Sequence, residues 1–501
     1  MKLLVLLKYI ILIILDYFCR GDIMLKKNSL FLLCLVYMQC FMMLFLFNSC
    51  SKNDIKNNFG DDYYNSVSER ANINYNSNKY LYNDFSNGID ERFSLCTGTW
   101  GNDGNIYHQG NVADNIFLTT DNKLAIRING DYYRGSKVGN TNGIRTGGAI
   151  VTDEDFGPGR YEVRMRSATR AGVCSAFWMY QCNSTDPSIN GWNEIDIEIV
   201  GGNAASYDRI LYTTWQSANN PNTKKYNLDN FVLNDGEWHV HTFDWYTDYM
   251  GTGKGRIDWF IDGKLVYWTD DKVALKSGNI WLGGMRSGEW IGESKFETDW
   301  MLTDWIRYIP FDNMNGWEQT GYKNRYNTYD KNFPINRINL TNDMLNQKIA
   351  NGGFENIDDE LPFPFMNDNS DYNVNFDSFV AVGWKKSDNC KYNIINDSYD
   401  KNALQIYEGN VFQKIEGAFE GFEYCIDFYA KNNSIYKNGN LKVCYFNDEQ
   451  KLISTEIITV KTNEYANYKK TIIAPTDCKE IGIYLSDGYF DNIKCTYNGR
   501  W

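Results

Sequence analysis

The chain has 501 residues, 43% of them hydrophobic and 16% aromatic, enough apolar material for more than one core. With 50 Lys and Arg against 63 Asp and Glu its net charge is −13, which repels nucleic acid and acidic polysaccharides and leaves a neutral ligand unaffected. The three histidines, His108, His239 and His241, make no zinc spacing with the cysteines, and no phosphate loop, dinucleotide fingerprint or Gly-x-Ser-x-Gly elbow occurs.

Two apolar stretches stand in tandem at the N-terminus: residues 1–18, and a second opened by Met24-Leu-Lys-Lys27 that runs from Leu30 to Phe47. This pattern suggests a start at Met24, with Lys26 and Lys27 as the positive region of a signal segment and residues 28–47 as its apolar region. The following Phe47-Asn-Ser-Cys50-Ser-Lys-Asn-Asp54 resembles the lipobox of bacterial lipoproteins, especially those of the Bacteroidetes, in which a small residue, here Ser49, precedes the lipidated cysteine. The resemblance implies a signal over residues 1–50, lipidation at Cys50 and a chain held at the outer membrane or cell surface. The alternatives are a transmembrane anchor or plain secretion. Residues 51–88, rich in Asn, Ser, Asp and Tyr, read as a flexible tether.

A region over residues 89–310 follows, and Trp192-Asn193-Glu194-Ile195-Asp196-Ile197-Glu198 is its most informative segment. On a strand, Glu194, Asp196 and Glu198 project from one face while Ile195 and Ile197 pack on the other. Three like charges in a row raise one another's pKa, which acid/base chemistry requires. At about 3.3 Å per residue, the backbones of Glu194 and Glu198 lie roughly 13 Å apart, so their long side chains must lean toward each other for paired carboxylate chemistry. The reading is Glu194 as nucleophile, Asp196 as assisting residue and Glu198 as general acid/base. Twelve of the 15 tryptophans fall between Trp100 and Trp305. Flat indoles match the apolar faces of sugar rings, so Trp100, Trp192, Trp215, Trp281 and Trp290 are candidates for substrate contact. Trp178, Trp245 and Trp259 sit inside apolar runs and read as core. His239 and His241 lie two apart on a strand, and one of them is expected to face the cleft while the other packs.

The region resembles glycoside hydrolase family 16, the β-jelly-roll endo-glycanases. The resemblance rests on Gly157–Arg166, Ser175–Tyr180, Asn193–Glu198, Trp238–Trp245, Ile257–Lys264 and Phe296–Trp305, in the family's order. It implies an all-β, concanavalin-like sandwich and a retaining endo-β-glucanase acting by double displacement on β-1,3/1,4-type glucan, the mixed-linkage form favoured. It implies no catalytic cofactor, allows a structural calcium, and fits a monomer. The single residue between Asp196 and Glu198 is the unbulged form seen in lichenases and xyloglucan-active members. The chain departs from lichenases at Ala149 and Val151, where they carry a glutamate and an arginine, and at Asn193, where they carry an aspartate. The rival readings are a catalytically inactive surface glycan-binding protein, or a xyloglucan- or galactan-directed hydrolase or transglycosylase of the same family.

A polar connector is expected over residues 311–350, then a second, smaller β-sandwich over 351–501 built from short alternating strands. Its Asn351-Gly-Gly-Phe-Glu355 opening and Phe490-Asp-Asn-Ile493 close resemble the jelly-roll carbohydrate-binding modules of glycanases. The resemblance makes Trp384, Tyr407 and Tyr489 candidates for glycan contact. Eight cysteines lie beyond Cys50, an even number compatible with disulfides in an oxidising compartment. Cys425 and Cys444 could pair across adjacent strands, with free buried thiols as the other reading.

Overall fold

A computed structural model describes residues 72–500, except for segments within 97–109, 134–145, 182–191, 202–208, 217–220, 228–234, 286–293, 322–332, 358–378, 397–400 and 417–419. The signal, Cys50 and residues 51–71 of the expected tether lie outside the described residues, whereas its second half is no tether: Asn72–Ile73 and Leu81–Asn83 pair with Thr298–Asp312 of the first sandwich, and Leu81 and Phe85 are wholly buried in its core. Arg70–Trp501 belong to one unit that holds two β-sandwiches, so the fold is all-β as its alternating sequence suggests.

The first sandwich stacks a ten-stranded sheet on a seven-stranded one. The smaller sheet runs, in spatial order, Pro221–Asn227, Arg209–Trp215, Asn193–Val200, Cys174–Gln181, Asn279–Met285, Gly148–Thr152 and Phe93–Leu95, each pair antiparallel. The larger sheet is built around Gly159–Arg166, flanked by His239–Tyr246 and Thr298–Asp312. Alternation assigns the faces. Ile195, Ile197 and Ile199 are wholly buried against Phe177, Phe243, Trp245 and Trp259 between the sheets, each contributing about 2 kcal/mol of apolar burial. Trp259 also donates its indole N–H to the Asp196 carbonyl at 3.2 Å, tying the opposite sheet to the strand that carries the acids. That strand ends at Gly201, where a Cβ would stand only 1.8 Å from the Arg170 carbonyl oxygen.

The segment expected as a connector is structured over its second half. Asn336–Ile338 pairs in parallel with Ile116–Thr119 of the ten-stranded sheet, and Thr341 caps the short helix Asn342–Asn346. Arg170 donates to the Lys348 carbonyl at 2.9 Å, Lys348 Nζ reaches Thr169 Oγ1 at 2.6 Å, and Lys348 N–H bonds the Cys495 carbonyl at 2.8 Å. These bonds join the β-turn region of the first sandwich to the closing strand of the second, and burial pushes Lys348 down to about 7.

The second sandwich pairs a six-stranded sheet with a five-stranded one around Trp384, Tyr424, Phe428, Leu441, Ile483 and Phe490. Two expectations fail here. Trp384 is wholly buried and donates its indole N–H to the Asn351 carbonyl at 3.0 Å, so it is core and cannot touch a glycan. Cys425 and Cys444 are free thiols: Phe422–Asn432 belongs to the five-stranded sheet and Asn440–Phe446 to the six-stranded one, and each cysteine alternates with core residues, so the two point away from opposite faces. Cys96, Cys174, Cys390, Cys478 and Cys495 are free as well.

Candidate active site

On Asn193–Val200 the three acids share the face turned away from the core. Glu194 lies opposite Tyr180 and Trp215, Asp196 opposite Trp178 and Thr213, and Glu198 opposite Ala176 and Leu211. Burial is the largest influence on all three and pushes each upward: Glu194 to about 8, Glu198 to about 7 and Asp196 well above the carboxylate range. Those two glutamate values alone would put the proton on Glu194. The fixed donors argue the other way. Trp192 Nε1–H donates to Glu194 Oε2 at 2.7 Å, and Asp196 hydrogen-bonds Glu194 as well. Glu198 is shifted by burial and, among the described residues, meets no comparable donor. Because the three titrate as a set, the negative charge belongs where donors meet it, on Glu194, while protonated Asp196 hands it a hydrogen bond and Glu198 keeps its proton.

The structure revises the aromatic candidates. Trp192 is half-buried, edge-on to Tyr180 at 5.4 Å and tilted on Trp215 at 5.7 Å, and its polar edge is aimed at a carboxylate. Trp215 is likewise half-buried and acts as a hydrogen-bond donor to Asp196. Trp281 was expected to contact substrate but is 1% exposed: it stacks on Trp178 at 5.4 Å with 15° between the rings and meets Tyr180 edge-on, so it is floor packing. Trp100 and Trp290 lie outside the described residues. Sequence reasoning missed Tyr180, which shares a row with Glu194, because an aromatic inside an apolar strand carries no signal of its cross-strand neighbour. Asn193 points to the opposite face from the acids and accepts the Leu275 N–H at 2.8 Å, while Ala149 and Val151 are buried and offer no side-chain polar group.

The two histidines also depart from expectation. Two residues apart on His239–Tyr246, they share one face, and neither belongs to the sheet that carries the acids. Burial lowers His239, but its bond to the Asp262 carboxylate at 2.8 Å and its ion pair with Asp235 at 3.5 Å outweigh it and carry it up to about 10. His241 is wholly buried, and burial, then the neighbouring His239, pushes it down to about 3. From its ordinary value near 6.5 down to about 3, the unfolded chain binds a proton at this position that the folded chain refuses. Stability is therefore expected to fall as pH drops below about 6.5, by up to about 1.4 kcal/mol per pH unit, and His241→Gln should flatten that slope in urea titrations. A slope unchanged by the substitution would contradict this. Among the described residues, no three His, Cys, Asp or Glu side chains converge to hold a metal ion.

Comparison with known proteins adds to this geometry. The model of glycosyl hydrolases family 16 matches residues 96–306, a span that includes all three acids. A beta-glucanase of Acetivibrio thermocellus is 30% identical over 168 residues, covering 32% of this chain and 46% of that protein. One from Bacillus subtilis is 26% identical over 227 residues, covering 44% of this chain and 83% of that protein. The chain spans less than half the length of the two Acetivibrio thermocellus beta-glucanases it matches, 46% and 43%. Among solved structures, the Bacillus licheniformis beta-glucanase is 22% identical, with 46% of this chain and 97% of that one covered at a TM-score of 0.37. Over residues 96–306, this chain carries a domain of glycosyl hydrolases family 16.

Proposed function

We propose that the chain is a retaining endo-β-glucanase acting on β-1,3/1,4-type glucan, with the mixed-linkage polymer as favoured substrate, tethered to the outer membrane through a lipid on Cys50. The observation that carries the reading is the row Glu194, Asp196 and Glu198 on one strand face, with hydrogen-bond donors supplied to the first and, among the described residues, not to the last. Glu194 attacks the anomeric carbon while Glu198 protonates the departing sugar oxygen; Glu198 then deprotonates water, which releases the glycosyl-enzyme and regenerates the starting configuration. Asp196 holds Glu194 in line and supports its charge as the covalent bond breaks.

Two measurements test this. Incubated with barley β-glucan, lichenan, laminarin, xyloglucan and agarose, the protein should release new reducing ends from at least one β-glucan, with the β-anomer appearing first by NMR. Tight binding to a glucan with no product would replace the reading with that of a glycan-binding protein. Trp192→Phe keeps the ring packing but removes the N–H that meets Glu194, a charge-assisted bond worth about 1.5–3 kcal/mol. The expected result is a drop in kcat/KM of roughly 10- to 100-fold. The acid limb of the pH profile should move upward, because Glu194 loses a donor that favours its ionised form.

A further inference from the structure

Between Gly159–Arg166 and Cys174–Gln181 the chain crosses from the ten-stranded sheet to the seven-stranded one through a corner, residues 167–173. The buried Asp299 carboxylate fixes its course: one oxygen accepts the Thr169 and Arg170 N–H groups at 2.8 and 2.7 Å, and the other accepts the Trp300 N–H at 2.8 Å. Ala168 N–H bonds Ser175 Oγ at 3.0 Å, and Gly172 N–H bonds the Ile291 carbonyl at 2.9 Å. The strand of acids ends on this corner. Gly201 N–H donates to the Val173 carbonyl at 2.8 Å, and the Arg170 peptide lies so close to Gly201 that no side chain fits between them. The corner then leads into Cys174–Gln181, whose Cys174 stands opposite Val200 and whose Ala176 stands opposite Glu198. Of the three acids Glu198 is nearest this end, so a displacement of the corner reaches it first.

The second sandwich grips the same corner from outside. Arg170 Nη1 donates to the Lys348 carbonyl at 2.9 Å, and Lys348 Nζ returns a bond to Thr169 Oγ1 at 2.6 Å. Lys348 is itself fastened to the closing strand Gly488–Arg500: its N–H meets the Cys495 carbonyl at 2.8 Å, and the neighbouring Gln347 Oε1 accepts the Cys495 N–H at 2.8 Å. At the near end of the corner, Arg166 Nη2 donates to Asn346 Oδ1 at 2.7 Å. Burial is the largest influence on Arg170 and disfavours its charge, which Asp299 and then Glu297 support. A planar guanidinium with its hydrogen bond directed along one edge transmits position, because it loses that bond when either sandwich shifts. An unbroken chain of bonds thus runs from Cys495 through Lys348 and Arg170 to the backbone on which Gly201 rests.

We propose that Arg170 is a positioning residue: through the Lys348 carbonyl it lets the second sandwich hold the end of the acid strand where Glu198 stands, keeping water from that carboxyl group. The part given to Glu198 rests on the hydrolase reading; the mechanical link does not. The test is Arg170→Met in the full chain, which keeps the aliphatic stem and removes the donor. In amide hydrogen exchange, residues 174–176 and 199–201 should exchange about tenfold faster than in the parent, while residues 179–181 at the far end keep the parent rate. The alkaline limb of kcat/KM, set by the proton on Glu198, should move to lower pH at unchanged KM, because water reaching a buried carboxyl group eases its ionisation. Arg170→Lys, which keeps a donor for the carbonyl, should restore most of both effects. If Arg170→Met does not fold, Thr169→Val takes its place: it removes the oxygen that meets Lys348 Nζ, and the same one-ended change should appear in smaller measure. Parent-like exchange at residues 199–201 overturns the proposal, as does equal quickening at both ends, which marks a general loss of stability, or an alkaline limb that stays in place. One-ended quickening in a protein whose parent cleaves no glucan would uphold the link and sink the hydrolase reading.

Discussion

Replacing Glu194 by glutamine is expected to lower glucan hydrolysis by on the order of 10⁴-fold or more, with binding of the polymer retained. The amide matches the carboxylate in size, so it preserves the packing beside Tyr180 and Trp215, and it can still accept from the Trp192 indole. What it lacks is the charge that, in the proposed reaction, forms a bond to the anomeric carbon. Glu198→Gln should be nearly as damaging on the polymer and far less so on an aryl glycoside with an activated leaving group, since such a group departs without being protonated. Azide separates the two roles. With Glu194→Ala it should attack the anomeric carbon from the vacated side and give the α-glycosyl azide. With Glu198→Ala it should intercept the glycosyl-enzyme and give the β-azide. The same azide anomer from both variants, or full activity in Glu194→Gln, would refute the assignment, which rests on donor geometry against two glutamate shifts of similar size.

The second large effect concerns stability. Arg160 and Asp244 stand directly opposite each other on the outer side of the ten-stranded sheet, both wholly buried. Two bonds of 2.7 Å join them side by side, and the Tyr246 hydroxyl adds a third to Asp244 at 3.0 Å. Removing one partner strands a charge where water cannot reach it, so Arg160→Met is expected to cost about 3–5 kcal/mol in urea unfolding. Arg160→Met combined with Asp244→Leu should recover most of that loss, because the penalty comes from the orphaned charge more than from the missing attraction. A single variant as stable as the parent would show that solvent enters this site.

Alternation was legible in the residues themselves. The spacing of Glu194, Asp196 and Glu198 against Ile195, Ile197 and Ile199 puts acids on one face and core on the other, because successive side chains of a strand point opposite ways whatever the rest of the chain does. The all-β class followed from the same property repeated along the chain. Alternation assigns a face but does not say what covers it. The segment Gly159–Arg166 alternates charge with apolar residues as a solvated strand would, yet Arg160, Glu162 and Arg166 are buried, their charges met by Asp244, by Arg307 and by the Gly236 carbonyl. Those partners lie 84, 145 and 70 residues away. Trp281 and Trp384 were indistinguishable in sequence from indoles that meet a ligand, and only the layers packed over them made them core. Trp192 was legible as an aromatic beside the acids, while its part as a donor to Glu194 depended on the edge contacts with Tyr180 and Trp215 that set the direction of its N–H. The residue pattern alone therefore sets the faces, which are local; burial, pairing and the direction of a hydrogen bond depend on atoms from distant strands and exist only once those strands have packed together.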